Sequence, residues 1–451
     1  MSKVSVNESN SIKTKQYRLI LPLLFFYLVG LTNSIPSNII IYSTFAFVFL
    51  LSLNFASQDL IRATFFLLVF NGIMRRLAAS DSDYYASNDI LILLPYVPIL
   101  ILLLKNLKTF QFETRLLVIL YFICFFSIMG IPESAPGIVW GLINLTSVVI
   151  LGQISKQFIN DALVSFIIKL GVVTSTYIFF QKIALPFYDL GWCQSRKSAL
   201  IYLEDCTSNS LRLWGTMESA VNMACFLTVC FLLLALRSKQ YISISTRLIG
   251  LTIIFSAIFL TGTRTFIFLI PIALFLTLLF FKKLSIAVFV FGSLGIALIF
   301  TLLPNLAIMF NYQSRWVDRL DIANISGDRS LKDRLDLAYS FNDQVTLKNL
   351  MIGDGLGSKS RGELTIDNGF ISLILEIGLP LTIVLMAFII IKLKNGHNSQ
   401  NSLVVQSWSV CILLLLANSS FVVLTGSSSV YLWFFLFMFD SKSHSDKVRA
   451  P

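Results

Sequence analysis

The chain has 451 residues, of which 56% are hydrophobic and only 13% are charged, and its mean hydropathy is +0.79. Soluble domains carry about 25% charged residues, so this composition excludes an ordinary soluble protein. The formal net charge is +11. Cytoplasmic loops of membrane proteins collect Lys and Arg, which accounts for much of this excess, so the charge does not indicate a nucleic-acid partner.

Apolar runs of membrane-spanning length fill most of the chain. A helix needs about 17 to 25 apolar residues to cross a bilayer, and within lipid its backbone amides must bond inside the segment. The pattern predicts an all-α, polytopic integral membrane protein with about 14 transmembrane helices, and no fewer than about 12. In chain order the predicted spans are 18–34, 38–55, 59–74, 89–105, 115–131, 137–152, 160–181, 216–236, 245–262, 265–281, 284–303, 376–394, 402–423 and 427–439.

Two hydrophilic segments interrupt these runs, at 182–213 and at 304–367. The longer one carries apolar residues at helical spacing, which predicts short helices within it. The predicted regions are a polar tail at 1–17, helices over 18–303 with the loop at 182–213, a large loop at 304–367, helices over 368–439, and a tail at 440–451.

The positions of Lys and Arg predict the orientation. Most basic clusters lie on the same face as the N-terminus: Lys105, Lys108, Arg115, Arg237, Lys239, Lys282, Lys283, Lys392, Lys394, Lys442, Lys447 and Arg449. Basic loops stay in the cytoplasm, so both termini are predicted there, with 182–213 and 304–367 in the periplasm. Arg75 and Arg76 depart from this pattern because they fall outside. Either an early span is miscounted or these two arginines are functional.

Six cysteines are present. Cys193 and Cys206 share the loop at 182–213, where an oxidising periplasm would allow a disulfide between them. No CxxC pair occurs, which argues against a zinc or redox site. Both histidines, His397 and His444, fall in predicted cytoplasmic segments. We therefore expect no metal and no cofactor.

Four arginines of the predicted outer face are candidates for binding phosphate, because a guanidinium fork grips two phosphate oxygens at once. Arg212 precedes Trp214-Gly215-Thr216, Arg264 ends the turn Thr261-Gly262-Thr263, and Arg329 and Arg334 lie in the long loop. The alternatives are that Arg264 snorkels to lipid phosphate, that Arg212 pairs with Glu218, and that Arg329 and Arg334 line a solvated helix face.

Three carboxylates and one glycine-rich turn complete the candidates. Asp367, Glu376 and Glu218 stand at or inside predicted helix ends, where each is either a catalytic base or a cap or ion-pair partner. The run from Gly353 through Gly355 and Gly357 lacks the Lys-Ser/Thr of a nucleotide loop. It predicts a tight turn whose amides could face an anion.

The order of these motifs over residues 170–395 resembles the O-antigen polymerase and O-antigen ligase superfamily. The resemblance implies a metal-independent glycosyltransferase that joins undecaprenyl-pyrophosphate-linked repeat units at the periplasmic face of the bacterial inner membrane. It implies that Arg212, Arg264 and Arg334, with Arg329 as a neighbour, hold the donor pyrophosphate. Ligases of the superfamily carry His-Asn after the long loop, whereas this chain has Asp367-Asn368, which favours a polymerase.

Two other functions stay open: a ligase that transfers polymer to lipid A core, and a flippase or other transporter of lipid-linked oligosaccharides. A carrier usually shows two matching halves with charged groups inside several spans, and this chain concentrates charge in one outer loop. The expected partners are the lipid-linked donor and acceptor, the bilayer, a chain-length regulator and a flippase.

Overall fold

In a computed structural model of the protein, the described residues are 37–78, 90–107, 113–129, 131–156, 158, 160–197, 213–217, 219–236, 243–263, 266, 267, 270, 346–356, 369–395 and 429–438. Regular structure in these ranges is helical throughout, without strands, which confirms the predicted all-α class. The predicted spans 18–34, 284–303 and 402–423 lie outside the described residues.

The helices follow the predicted spans closely, apart from their ends. They are α1 Ser37–Leu53, α2 Ser57–Ala78, α3 Tyr96–Asn106, α4 Thr114–Met129, α5 Ile131–Ser155, α6 Asp161–Ile183, α7 Phe187–Lys197, α8 Ala220–Leu236, α9 Ile244–Leu260, α10 Leu347–Met351, α11 Gly369–Ile377, α12 Leu379–Asn395 and α13 Ser429–Met438. A 3₁₀ turn, Ile90–Leu93, precedes α3.

Two helices, α7 and α11, differ from the sequence prediction. Helix α7 occupies part of the segment predicted as a hydrophilic loop, and its inward residues Asp189, Trp192 and Cys193 are buried. The predicted span 376–394 begins instead at Leu379, because α11 ends at Ile377 and the chain bends by 118° before α12. Helix α10 is a short helix in the long loop, as the sequence predicts.

Side-chain oxygens within the helices bond back to their own backbone. Among the described residues, eight hydroxyls donate to the carbonyl four residues earlier: those of Thr64, Thr146, Thr174, Ser175, Thr176, Thr228, Thr252 and Thr382. The hydroxyls of Thr176 and Thr252 are satisfied in this way although both residues lie on exposed faces. This local bonding leaves the hydroxyl with little need of water.

The chain divides into two compact units. The first comprises residues 1–108 and 160–223, and its described core is built around α2. Helix α2 packs against α1, α3, α6 and α7. Near the ends of α1 and α3, Lys105 Nζ donates to the carbonyl oxygens of Leu53 at 2.7 Å and Phe55 at 2.6 Å.

The second unit comprises residues 109–159 and 224–451. Helix α13 packs along α5, with the side chains of Trp433 and Phe434 fully buried. Helix α4 contacts α5, α11 and α12. An ion pair joins Lys392 on α12 to Glu113 just before α4, at 2.6 Å.

In the described ranges, α6 is long and apolar enough to cross a membrane as a single helix. Helices α11 and α12 pass the same test together if the bend between them is counted as a break in one span. Other apolar helical segments, among them those in α3, α4, α8 and α9, have 10–17 residues and are shorter than this test requires.

Candidate functional site

Five glycines in the described residues adopt positive φ, and all five lie in segments that the sequence singles out. They are Gly215 (59°), Gly262 (64°), Gly353 (80°), Gly355 (98°) and Gly378 (80°). Residues with a side chain rarely adopt this backbone conformation. The motifs next to Arg212, Arg264 and Glu376 are therefore tight turns, and each is described below within its own unit.

The first turn, residues 213–217, belongs to the first unit and is buried along its whole length. Thr216 ties it to the backbone of α2. The Thr216 hydroxyl donates to the carbonyl oxygen of Val69 at 2.8 Å, and the Thr216 carbonyl accepts the Ile73 amide at 2.9 Å. Val69 and Ile73 are four residues apart on α2, about one helical turn. The segment 213–217 is therefore fixed at one defined position along α2.

Arg76, at the last turn of α2, binds the same segment with its side chain, which is 0% exposed. Its Nη1 donates to the carbonyl oxygen of Met217 at 2.6 Å and its Nη2 to that of Gly215 at 2.5 Å. Its Nε lies 2.5 Å from Asp189 Oδ1. This contact is an ion pair without a hydrogen bond, because the N–H does not point at that oxygen. All three nitrogens of the guanidinium therefore face oxygens of the protein.

Asp189 of α7 is also 0% exposed, and both of its carboxylate oxygens contact side-chain donors. Its Oδ2 accepts from the Tyr177 hydroxyl at 2.7 Å and from Gln181 Nε2 at 2.8 Å. Gln181 Oε1 in turn accepts the Gly215 amide at 3.0 Å. The bonds therefore close a ring that runs from Arg76 through Asp189 and Gln181 to Gly215 and back to Arg76.

Two indole rings cover this ring of bonds. The ring centroids of Trp192 on α7 and Trp214 in the turn are 4.6 Å apart. The guanidinium carbon of Arg76 lies 6.0 Å from the Trp192 centroid and 5.8 Å from that of Trp214. Aromatic rings attract a cation and exclude water, so the ion pair is held in a dry environment.

This network contains Arg76, one of the two arginines that depart from the predicted positive-inside pattern. Arg76 is paired with a carboxylate from the segment 182–213, which the sequence predicts on the same face. Removing one partner of a buried ion pair costs about 3–5 kcal/mol, because the other charge stays buried. Sequence reasoning missed Asp189, and the available signal was an acidic residue among the apolar residues Phe187, Leu190 and Trp192.

Cys193 follows Trp192 on α7, is buried and takes part in a disulfide. Its predicted partner, Cys206, lies outside the described residues. Asp189, Trp192 and Cys193 are spaced by three and four residues, which places them on one face of the helix. A disulfide at Cys193 therefore acts on the same helix face that supplies Asp189 to Arg76.

The second turn belongs to the second unit and surrounds the break between α11 and α12. The amides of Asp354 and Gly355 donate to the carbonyl oxygens of Leu375 at 2.7 Å and Glu376 at 2.9 Å. The next amide, that of Leu356, donates to Ser127 Oγ of α4 at 3.1 Å. A helix end leaves its last carbonyls without helical partners, and here residues 354 and 355 supply the missing donors.

The sequence left open that amides of the glycine-rich turn face an anion, and the amides described at 354, 355 and 356 do not. Three successive amides, at 354, 355 and 356, already donate to protein oxygens. Gly353 serves the close approach of two backbones, because a Cβ there would lie 2.5 Å from the carbonyl of Glu376, whereas a Cβ on Gly355 would lie 2.8 Å from Ile138 Cδ1. Gly357 lies outside the described residues.

Two carboxylates are buried at this break. Glu376 is 4% exposed and Asp354 is 8% exposed, on backbones joined by the hydrogen bonds just described. The sequence predicted Glu376 as a candidate base. The structure brings the backbone of Asp354 close to it, because the Asp354 amide donates to the carbonyl of the preceding residue, Leu375. A buried carboxylate is stabilised by pairing or hydrogen bonding, so both groups are held in defined surroundings.

The third turn, Thr261 to Thr263, closes the C-terminal end of α9. The Thr261 hydroxyl donates to the carbonyl oxygen of Ile258 at 2.6 Å and to Thr263 Oγ1 at 3.3 Å. Gly262 then takes the left-handed conformation that commonly ends a helix. The chain continues directly from this capped end into Arg264.

Several predicted site residues fall outside the described part of the chain. They are Arg212, Glu218, Arg264, Arg329, Arg334, Gly357, Asp367 and Cys206. Their roles stay predictions. Among the described residues, no three His, Cys, Asp or Glu side chains come together as a metal site would require. No known family model matches the chain, and no curated protein is significantly similar to it.

Replacing Gly353 with Ala should destabilise the second unit. The new Cβ would overlap the Glu376 carbonyl at 2.5 Å while φ stays at 80°, and strain of this kind costs about 1–3 kcal/mol. The matched control is Gly250→Ala, where the Cβ would meet only the flexible end of Leu234 at 2.8 Å. The thermal midpoint of purified protein should fall for Gly353→Ala alone, and equal midpoints would contradict this account.

Cys193 should be linked to Cys206. The bond would close a loop of about fourteen residues, which is worth roughly 3 kcal/mol in the chain-entropy view. Mass spectrometry of a non-reduced digest should find the two peptides joined, and a reduced sample should separate them. Recovery of Cys206 as a free thiol from protein made in an oxidising compartment would rule out this pairing.

Proposed function

We propose that this protein is a polymerase of O-antigen or a related surface polysaccharide. In this proposal it is a multi-pass protein of the bacterial inner membrane, with about 14 transmembrane helices and both termini in the cytoplasm. It joins undecaprenyl-pyrophosphate-linked repeat units at the periplasmic face. The observation that carries the proposal is that the segments beside two predicted phosphate-binding arginines are firmly built turns, at 213–217 after Arg212 and at 261–263 before Arg264.

A membrane location is supported by the apolar character of exposed helix faces. Helix α4 exposes one continuous apolar face: Leu117, Val118, Tyr121, Phe122, Phe125 and Ile128. Its opposite face, with Leu116 and Ile123, is buried. Exposed apolar patches of this extent mark binding surfaces, and a helix that is apolar all round suits a protein within lipid.

The proposed topology is supported by which segments touch. Arg76 meets Asp189 and the turn 213–217, all predicted on the outer side, and Leu356 meets Ser127 at the outer end of α4. On the predicted inner side, Lys105 meets Leu53 and Phe55, and Asn106 donates to Ser57 at 3.2 Å. The ion pair between Lys392 and Glu113 also joins two predicted inner positions. Each contact joins segments assigned to one face.

The proposed reaction needs little more than positioning and positive charge. The acceptor hydroxyl attacks the anomeric carbon of the donor sugar, the bond from that carbon to the pyrophosphate oxygen breaks, and the hydroxyl proton passes to a carboxylate. Undecaprenyl pyrophosphate leaves as an anion, so preorganised arginines stabilise the developing charge. Arg212, Arg264 and Arg334, with Arg329 nearby, take this role, and Glu376, Asp367 or Glu218 accepts the proton.

A transporter is the second candidate, and one observation favours it. The bend of 118° between α11 and α12 resembles the broken helices around which many carriers build their substrate sites. In this chain, however, the α11 carbonyls of Leu375 and Glu376 are bonded by residues 354 and 355. The ligase alternative differs from the polymerase in its acceptor, which is lipid A core.

Deletion of the gene separates these functions by the surface polysaccharide that remains. A polymerase mutant should lose the ladder on a gel and keep a single repeat attached to lipid A core. Core alone, with polymer accumulating on the carrier lipid, would identify a ligase. Repeat units retained on the cytoplasmic side would identify a flippase.

Arg264→Lys should reduce polymer nearly as much as Arg264→Ala, and the same holds for Arg334. Lysine keeps the charge and loses the planar fork that grips two phosphate oxygens. Polymer length is measured in a complemented deletion strain, with membrane levels matched by immunoblot. Arg361, predicted to be a solvated loop residue, is the control and should tolerate both changes. Wild-type polymer from both Lys variants would exclude pyrophosphate clamping by these side chains.

A further inference from the structure

We propose that Lys169 and Ser165 of α6 bind the phosphate group of an anionic phospholipid in the cytoplasmic leaflet of the membrane. Both residues lie on the helix that, within the described ranges, is long and apolar enough to cross a bilayer as a single element. The proposal rests on the proposed membrane location and orientation, and it does not depend on the reaction.

Lys169 lies on an exposed face of α6 that is otherwise uncharged. Val173 is 53% exposed, Phe180 51% and Ile183 84%, and Thr176 is exposed between them. These five positions follow one another at intervals of three or four residues, so they form one continuous face of the helix. A charged side chain on such a face is costly within lipid unless it finds a partner, and it therefore indicates a binding function.

The surroundings of Lys169 on its own helix supply no anion. The positions one turn away on either side are Ser165, Phe166, Val172 and Val173. Asp161 is the acidic residue of α6, and it lies about 12 Å from Lys169 along the helix axis. Among the described residues, the Lys169 ammonium makes neither an ion pair nor a hydrogen bond. The anion that it needs therefore does not come from the part of the chain that the structure describes.

The place of Lys169 along α6 directs its charge to the cytoplasmic side. The helix begins at Asp161, where the Asn160 side chain accepts the Leu163 amide at 2.9 Å, and the proposed orientation puts this end inside. With a rise of about 1.5 Å per residue, Lys169 is about 12 Å from this end and about 21 Å from Ile183. Helical side chains lean toward the N-terminus of their helix, so the flexible stem of the lysine carries the ammonium toward the cytoplasmic headgroups.

Ser165 adds a second donor on the same side of α6, one turn closer to the cytoplasmic end. Further along this helix, Thr174, Ser175 and Thr176 donate their hydroxyls to carbonyls of α6 itself. The Ser165 hydroxyl makes no hydrogen bond to another described residue, and Ser165 is partly exposed. A hydroxyl and an ammonium four residues apart can donate to two oxygens of one phosphate group.

A phospholipid fits this surface better than a second copy of the helix does. In a two-fold symmetric dimer within a membrane, equivalent residues meet at the same depth, so two α6 helices would bring two ammonium groups together. An anionic lipid supplies phosphate oxygens to Lys169 and Ser165 and an acyl chain to the apolar residues that follow. The cytoplasmic leaflet carries such lipids, and its negative surface attracts lysine side chains.

The test measures phospholipid binding to the purified full-length protein. Bound lipid is counted by native mass spectrometry after detergent extraction from vesicles, with phosphatidylglycerol as the anionic probe and phosphatidylcholine as the zwitterionic comparison. Lys169→Met should lower the affinity for phosphatidylglycerol about fivefold, the effect of one basic residue at an anionic membrane surface. Lys169→Arg keeps the charge and should retain wild-type affinity. Ser165→Ala should lower the affinity by less.

The matched control is Thr176→Val on the same exposed face. The Thr176 hydroxyl already donates to the Val172 carbonyl at 3.0 Å and lies nearer the outer end, so this change should leave lipid affinity at the wild-type value. Equal affinity for phosphatidylglycerol in wild type, Lys169→Met and Ser165→Ala would overturn the proposal. Ser165→Ala, which keeps the charge, decides the question if Lys169→Met does not fold.

Two other results would assign this surface to a different occupant and reject the lipid. Release of phosphatidylglycerol by inorganic phosphate, but not by chloride of equal ionic strength, would indicate a site for free phosphate. Loss of a bound protein or of a second copy in Lys169→Met, with lipid affinity unchanged, would indicate a helix-docking surface. These measurements contain no sugar substrate, so failure of the proposed polymerase leaves their outcome intact. Normal polymer with lipid affinity unaltered in Lys169→Met would reject the lipid site alone.

Discussion

The buried ion pair between Arg76 and Asp189 is the interaction on which the first unit depends most. A guanidinium and a carboxylate without exposed surface are tolerable only if each has its partners in place. That requirement binds three separate parts of the chain together: the end of α2, the helix α7 and the turn 213–217. Tyr177 and Gln181 of α6 complete the set, so four segments are held in register by the need to satisfy two charges.

In the second unit, the polar groups that need partners belong to the backbone. A bend of 118° between α11 and α12 ends one helix and begins another, which leaves carbonyls at the end of α11 without helical donors. Asp354 and Gly355 supply them, and the approach is so close that position 353 has no room for a Cβ. Gly353 thus serves backbone pairing, which accounts for a glycine at this position.

In both units, turns held by hydrogen bonds adjoin some of the candidate residues along the chain, namely Arg212, Arg264 and Glu376. The glycosyl transfer that we propose for this protein would depend on arginines placed in advance, since a cation that must move to its position gives back part of its effect. Turns held by α2, α9 and α11 meet that need better than free loops would. The apolar exposed face of α4 and the hydroxyls bonded within their own helices are compatible with the proposed membrane location.

The sequence by itself determined the helical class and most of the described helix positions, because its apolar runs are longer than strands and therefore favour helices. It also predicted turns at Gly262 and at Gly353 with Gly355, and it marked the segment with Gly215 by its place after Arg212. Only the tertiary structure decided that Asp189 is the partner of Arg76 and that the amides at 354 and 355 serve α11. Such pairings join residues far apart along the chain, and a local pattern carries no information about which distant group will satisfy a buried charge or a free carbonyl.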